Sequence, residues 1–165
     1  MANMIPISTV TAGSSVASIS FTGIPQTYTD LLVKLSLRSD RTVDTDSVNM
    51  TVNGSSTSMT WLYLLGNNGT ASSATAQRFY TDSDYNTAST FGSADVYIPN
   101  YTSANYKSFL VDTVSENNAT SGAQTELLAQ LWSNTAAITS ITFAPQFGSN
   151  WKQYSTATLY GIRKY

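Results

Sequence analysis

The chain has 165 residues, 41% of them hydrophobic, with 8 Lys plus Arg against 10 Asp plus Glu, no Cys and no His. That length suits one domain, and the missing residue types rule out disulfides, thiolate chemistry and a Ser-His-Asp hydrolase, and very nearly a tetrahedral zinc site. A formal net charge of -2 disfavours nucleic acid, while 24 Ser, 24 Thr and 12 Asn replace charge as the solvating surface.

The first ten residues, MANMIPISTV, lack a basic stretch followed by an apolar core, so no signal peptide is expected, and the protein should be made and kept in a cytoplasm or leave by a route that needs no export signal. No run approaches the roughly 18 apolar residues of a membrane helix, so no membrane association is expected. Residues 1–15 are apolar, then rich in Ser and Gly. They read equally well as an arm reaching onto a partner or as a strand zipped onto a sheet edge.

Period-2 alternation dominates the rest of the chain. Ala17, Ile19 and Phe21 share one face of a strand, which Gly23-Ile24-Pro25 breaks. Leu31, Val33, Leu35 and Leu37 line the next, with Lys34, Ser36 and Arg38 opposite. Val48, Met50 and Val52 form a third stripe, closed by Asn53-Gly54, a turn dipeptide expected to join antiparallel neighbours. Met59, Trp61, Tyr63 and Leu65 come next, with the two aromatics expected in the core, and end at Gly66-Asn67-Asn68-Gly69. That Gly-rich turn has neither the Lys nor the helix of a phosphate loop.

Residues 70–93 are Ser/Thr/Ala-rich and weakly patterned, and predict one short strand near Gln77–Thr81 within a long loop. Ala94, Val96 and Ile98 run to Pro99, and Phe109, Val111 and Thr113 alternate with Leu110 and Val114. TELLAQLW has helical propensity, but it is short and lies among strands, so it is read as a strand with Leu127, Ala129 and Leu131 opposite Glu126, Leu128, Gln130 and Trp132. Ile141 and Phe143 precede the loop APQFGSNWKQYS, and Thr158, Tyr160 and Ile162 end the chain. The pattern predicts a single all-β domain over 1–165, an antiparallel β-sandwich, jelly-roll-like, of eight to ten strands.

Asp44 and Asp46, and likewise Asp82 and Asp84, have the spacing of cation ligands or of an acid–base pair, but neither continues as a calcium loop. They read as turn-forming side chains, and no metal or cofactor is expected. Phe147, Trp151 and Tyr154 stand beside Gln146, Asn150 and Gln153, the mixture of flat rings and forked amides that a glycan or protein contact uses. The simpler reading, and the one preferred, has these rings capping the end of the sandwich core or packing on a neighbouring subunit. Lys34, Arg38 and Arg41 line one strand face and its exit, either solvated or facing an acidic partner. Asn-x-Ser/Thr triplets at Asn49, Asn53, Asn68, Asn100 and Asn118 are expected by chance in such a composition.

Two segments frame the domain: Ile19, Phe21, Ile24, Pro25, Tyr28 and Leu31 near the start, and Ala157, Thr158, Leu159, Tyr160, Gly161 and Ile162 at the end. Their "I-x-F-x-x-I-P-x-x-Y-x-x-L" opening and "A-T-L-Y-G-I" ending resemble small β-rich virion proteins of tailed bacteriophages. The resemblance implies a non-enzymatic structural role in the virion. A capsid decoration (cement) protein, homotrimeric and bound to the major capsid protein or other virion proteins, is the expectation. A fibre or spike module recognising host surface glycans is the alternative.

Overall fold

The computed structural model describes residues 3–75, 78–117 and 122–163. Asn118 and Gln77, the first residue of the short strand expected there, lie outside those residues. Twelve strands occur in order: β1 Asn3–Thr11, β2 Ile19–Thr22, β3 Asp30–Ser39, β4 Thr45–Val52, β5 Met59–Asn67, β6 Thr70–Ala74, β7 Phe79–Ser83, β8 Gly92–Ile98, β9 Lys107–Ser115, β10 Gln124–Trp132, β11 Ser140–Pro145 and β12 Thr156–Arg163. No helix among the described residues is long and apolar enough to cross a membrane.

The strands form one mixed sheet with two sections. Eight strands run β1-β12-β3-β8-β9-β10-β5-β6, and four run β2-β11-β4-β7. Within each section every pairing is antiparallel. The sections join where the end of β3 leaves β8 and runs parallel to β7, Arg38 opposite Asp82 and Ser39 opposite Ser83. The all-β expectation holds, but there are twelve strands, beyond the eight to ten expected, and one pairing is parallel. The extra count comes from segments with no alternation to read. β6 is exposed at every residue and is held by its ladder to β5.

TELLAQLW is a strand, β10, paired on both sides by β5 and β9. Residues 3–11 form a strand paired antiparallel with β12. Asn53-Gly54 does make the expected tight turn, with φ of 51° and 76° and reciprocal Val52–Ser55 backbone bonds. The flanking strands are nevertheless not partners: β4 pairs with β7 and β11, whereas β5 pairs with β6 and β10. Residues 56–58 carry the chain from one section to the other. The hairpin turn proper is Asn68-Gly69, between β5 and β6, with Asn67 opposite Thr70.

Burial follows the alternation. Ile19 and Phe21 (β2), Val48, Met50 and Val52 (β4), Phe79 (β7) and Ile141 and Phe143 (β11) join the Leu31–Leu37 stripe of β3, Val96 (β8), Phe109 and Val111 (β9), Leu128 (β10) and Leu159 (β12) in one apolar cluster. Each such side chain stabilises by about 1.5–3 kcal/mol relative to exposure, so this cluster, shared by both sections, is what holds them together. The two framing motifs meet within this fold. Gly161 pairs with Leu31, and the Tyr28 ring occupies the space where a Gly161 Cβ would stand, 2.3 Å from Cγ. The Arg163 guanidinium lies 5.2 Å from the centroid of the same ring. These motif residues therefore carry packing.

Candidate interaction surfaces

The aromatic loop is built around two carboxylates. Asp46 leaves β4 inward and is fully buried; its Oδ1 accepts from the Ser47 and Phe147 N–H groups at 2.7 and 3.2 Å, and its Oδ2 from Gly148 N–H at 2.9 Å. Asp40 accepts from Ser149 and Asn150 N–H at 2.7 and 3.0 Å, and these bonds hold its carboxyl below the usual range against the opposing effect of burial. Gly148 fits between them because a Cβ there would lie 2.7 Å from Asp40 Oδ1 and 2.9 Å from Asp46 Oδ2. The Asp44/Asp46 pair is thus split, with Asp46 consumed by backbone. Asp82 is also buried, accepting from Asn86 and Ser115 at 2.6 Å each, while Asp84 faces Lys152 at 2.9 Å and Arg38 at 3.4 Å. Each pair straddles a strand end, Asp44 lying before β4 and Asp84 after β7, and no group of three or more His, Cys, Asp or Glu among the described residues could hold a metal ion.

Phe147, Trp151 and Tyr154 are not one surface. Trp151 is fully buried, bridges Val16 and Ser39 by backbone, and donates its indole N–H to the Phe143 carbonyl at 3.0 Å. Its ring belongs to the core and cannot meet a glycan or a partner. The neighbouring amides are spent too, Asn150 on Asp40 and Gln153 on the Gly13 carbonyl. Tyr154 is exposed in a tight turn with φ 73°. Phe147 is 53% exposed, with the Arg41 guanidinium 4.5 Å and the Arg78 guanidinium 5.7 Å from its centroid.

The basic face divides similarly. Lys34 remains outside and pairs with Asp95 at 2.6 Å. Arg38 does not line a solvated face. It lies where β3 changes partner, is buried, and donates to the Thr87, Thr90 and Asn86 carbonyls, holding the loop 84–90 in place. Its burial could not be read from alternation, which gives the face of a side chain but not the loop that covers it.

The largest unexplained feature is the outer face of β5, β9 and β10. Leu62, Leu64, Leu110, Val114, Leu127 and Leu131 are each between 38% and 61% exposed. Register makes them one patch: Leu127 stands beside Leu64, and Ala129 lies between Leu110 and Leu62. A shallow depression of about 380 Å³ runs between Leu62, Leu64, Leu110 and Leu127 over Ala129. The six large side chains expose roughly 500–600 Å² together, the upper end for the largest apolar patch of a monomer. Sequence alternation displayed these residues without marking them as outward. The signal was that β5, β9 and β10 are apolar on both faces.

Beneath that face the same strands bury polar groups. Glu126 is 2% exposed; one carboxyl oxygen accepts from Tyr80 N–H at 2.7 Å and the other has no partner among the described residues. Burial pushes its pKa up to about 7, against the opposing Tyr80 bond and the Arg78 charge. Gln130 and Trp61 stand opposite one another in register, and Gln130 Oε1 and Trp61 Nε1 are likewise buried without a partner among the described residues. Lys107 is buried as well, donating to the Ala136 carbonyl at 2.6 Å with its ammonium 5.3 Å from the Trp132 centroid, and burial lowers its pKa. β10 thus turns Glu126 and Gln130 inward and Leu127, Ala129 and Leu131 outward.

Comparison of the chain with protein-family models, with curated proteins and with solved structures found no match.

Proposed function

We propose that this protein is a non-enzymatic structural subunit that works by holding protein surfaces together, and that it decorates a phage capsid as a self-associating, trimeric subunit. The observation that carries the reading is the apolar outer face of β5, β9 and β10. A monomer gains nothing by exposing five leucines and a valine in one patch. Another copy covering them gains about 25 cal/mol for each Å² of apolar surface removed from water. With its rim of Thr60, Ser108, Thr125 and Ser73, the patch approaches the roughly 800 Å² per partner of a standard interface. Asp112 of β9, opposite Leu127 in register, is the one charged side chain among the outward residues of β5, β9 and β10; the rest are apolar or uncharged, as in interfaces between copies of one chain. That makes a second copy the fitting occupant.

The finer fold reading, a jelly-roll-like sandwich with the four-strand section covering the inner face of the eight, belongs to the same proposal. Support comes from the shared apolar cluster and from β7, whose Tyr80 bonds both Glu126 of β10 and Thr113 of β9. The virion setting rests on the framing motifs. The receptor-binding alternative keeps Phe147 and Tyr154 as exposed rings but loses Trp151.

Sedimentation equilibrium tests the self-association. The wild type should associate at micromolar concentration, and Leu127→Asp should remain monomeric with an unchanged circular dichroism spectrum. A wild type that stays monomeric at high concentration would refute the interface. Co-sedimentation with capsids lacking this protein tests the decoration role, and failure of both wild type and Leu127→Asp to bind would refute that.

A further inference from the structure

Among the described residues, the fold leaves Arg41 and Arg78 without a carboxylate in an ion pair; such pairs engage Lys34, Arg38 and Lys152. Arg41 donates to the Thr45 carbonyl at 2.7 Å, and among the described residues Arg78 makes a long 3.5 Å contact to the Tyr80 hydroxyl. Each guanidinium has five donors, of which Arg78 Nε is buried without a partner among the described residues. Both lie against the Phe147 ring, at 4.5 and 5.7 Å from its centroid, and Arg78 also lies 5.7 Å from that of Tyr80. The ring itself is fixed, because the loop carrying it is bonded through four successive backbone N–H groups to Asp46 and Asp40. Asp40 and Asp46 are therefore engaged by backbone N–H groups, and Glu126 acts on Arg78 through space. Two guanidiniums are thereby held against one half-exposed ring.

We propose that Arg41 and Arg78, positioned by Phe147, form a carboxylate-binding site for acidic side chains on a partner protein. Planar guanidinium forks match carboxylates bidentately, and stacking on a ring fixes their orientation before binding, which reduces the entropy lost. A polyanionic backbone is a poor fit: two cations on a chain of net charge -2 give little long-range attraction. One or two carboxylates on a folded surface need only the local pair. The site lies on the four-strand section, off the apolar face, and rests on the structural-subunit reading only in naming a protein as the partner.

The test is calorimetric titration at low ionic strength with hexaglutamate peptide, with oligogalacturonate and inorganic phosphate as parallel arms. Hexaglutamate should bind the wild type and Leu127→Asp alike, lose about tenfold or more in affinity (about 1.4 kcal/mol) in the double variant Arg41→Gln/Arg78→Gln, and weaken at about 0.3 M salt. Phe147→Ala, which removes an exposed ring without touching either charge, should weaken binding in a protein that still folds. Equal binding by these variants, no binding by the wild type, or tighter binding of phosphate or oligogalacturonate would each overturn the assignment. Self-association of the double variant should be unchanged, so this site and the apolar face fail separately.

Discussion

Glu126→Gln should remove a pH dependence from the stability of this protein. The buried carboxyl has a pKa of about 7 in the folded chain against 4.5 for the free side chain. Between those values the native state holds a proton that the unfolded state has released. Stability is therefore fully present below about pH 4.5 and declines as pH rises, at up to about 1.4 kcal/mol per pH unit, to a total of about 3 kcal/mol by pH 7. The chain has no His, so no other side chain normally titrates in the middle of that window. Asp40 and Asp84 have lowered pKa values, and their contributions are lost only at more acidic pH, as it falls below the ordinary aspartate range. Gln keeps the shape and an oxygen for the Tyr80 N–H but cannot ionise. Its added amide hydrogens lack a clear acceptor, which costs about 1–3 kcal/mol, so the absolute difference at one pH is not the measure. The slope is. Urea midpoints from pH 4 to 8 should show wild-type stability falling relative to Glu126→Gln by about 3 kcal/mol across the window. Parallel profiles for the two proteins would show that Glu126 ionises normally, and the burial argument would fail.

Gly161→Ala should destabilise the domain by about 1–3 kcal/mol, because its Cβ would collide with the Tyr28 ring; pairing it with Tyr28→Ala should recover part of the loss in a thermal-melt cycle. Trp151→Ala should cost about 3–5 kcal/mol by emptying a core site, and chemical denaturation should register this while hexaglutamate binding by the remaining folded protein stays near normal. Asn53→Ala should cost about 1–3 kcal/mol, since Asn53 Oδ1 accepts from the Thr139 and Ser140 N–H groups, its Nδ2 donates to the Ala137 carbonyl, and its φ of 51° suits Asn better than Ala. Hydrogen exchange should then quicken at residues 139 and 140.

Most strands were legible because burial on one face imposes alternation: the Leu31–Leu37 stripe, Val48-Met50-Val52 and Phe109-Val111 all lie where the pattern sets them. β6 was not, because both of its faces meet solvent and nothing selects its side chains. The partner of each strand was also hidden. Asn53-Gly54 has the turn chemistry of a hairpin, yet the chain crosses between sections immediately after it. Trp151 shows the same limit within a site. A ring among Asn and Gln looks like a contact surface until backbone bridges to Val16 and Ser39 draw it inside. Arg78 joined Arg41 only through folding, since 36 intervening positions say nothing about a shared ring.

The treatment of the sheet edges argues for how copies meet. A free edge invites another strand, and both ends of the eight-strand section resist this. β1 carries Pro6, which cannot donate, and its register shifts between Pro6 and Ser8. β6 is five residues of Thr, Ala and Ser, too short and polar to recruit a partner strongly. The adjoining face, by contrast, is left apolar. Packing across a face buries leucines without adding backbone hydrogen bonds, so association should leave the β6 amides exchanging at their monomer rate. Hydrogen exchange measured above and below the association midpoint separates the two geometries: protection appearing along Thr70–Ala74 would mean that copies join by extending the sheet, and the face-to-face interface would be wrong.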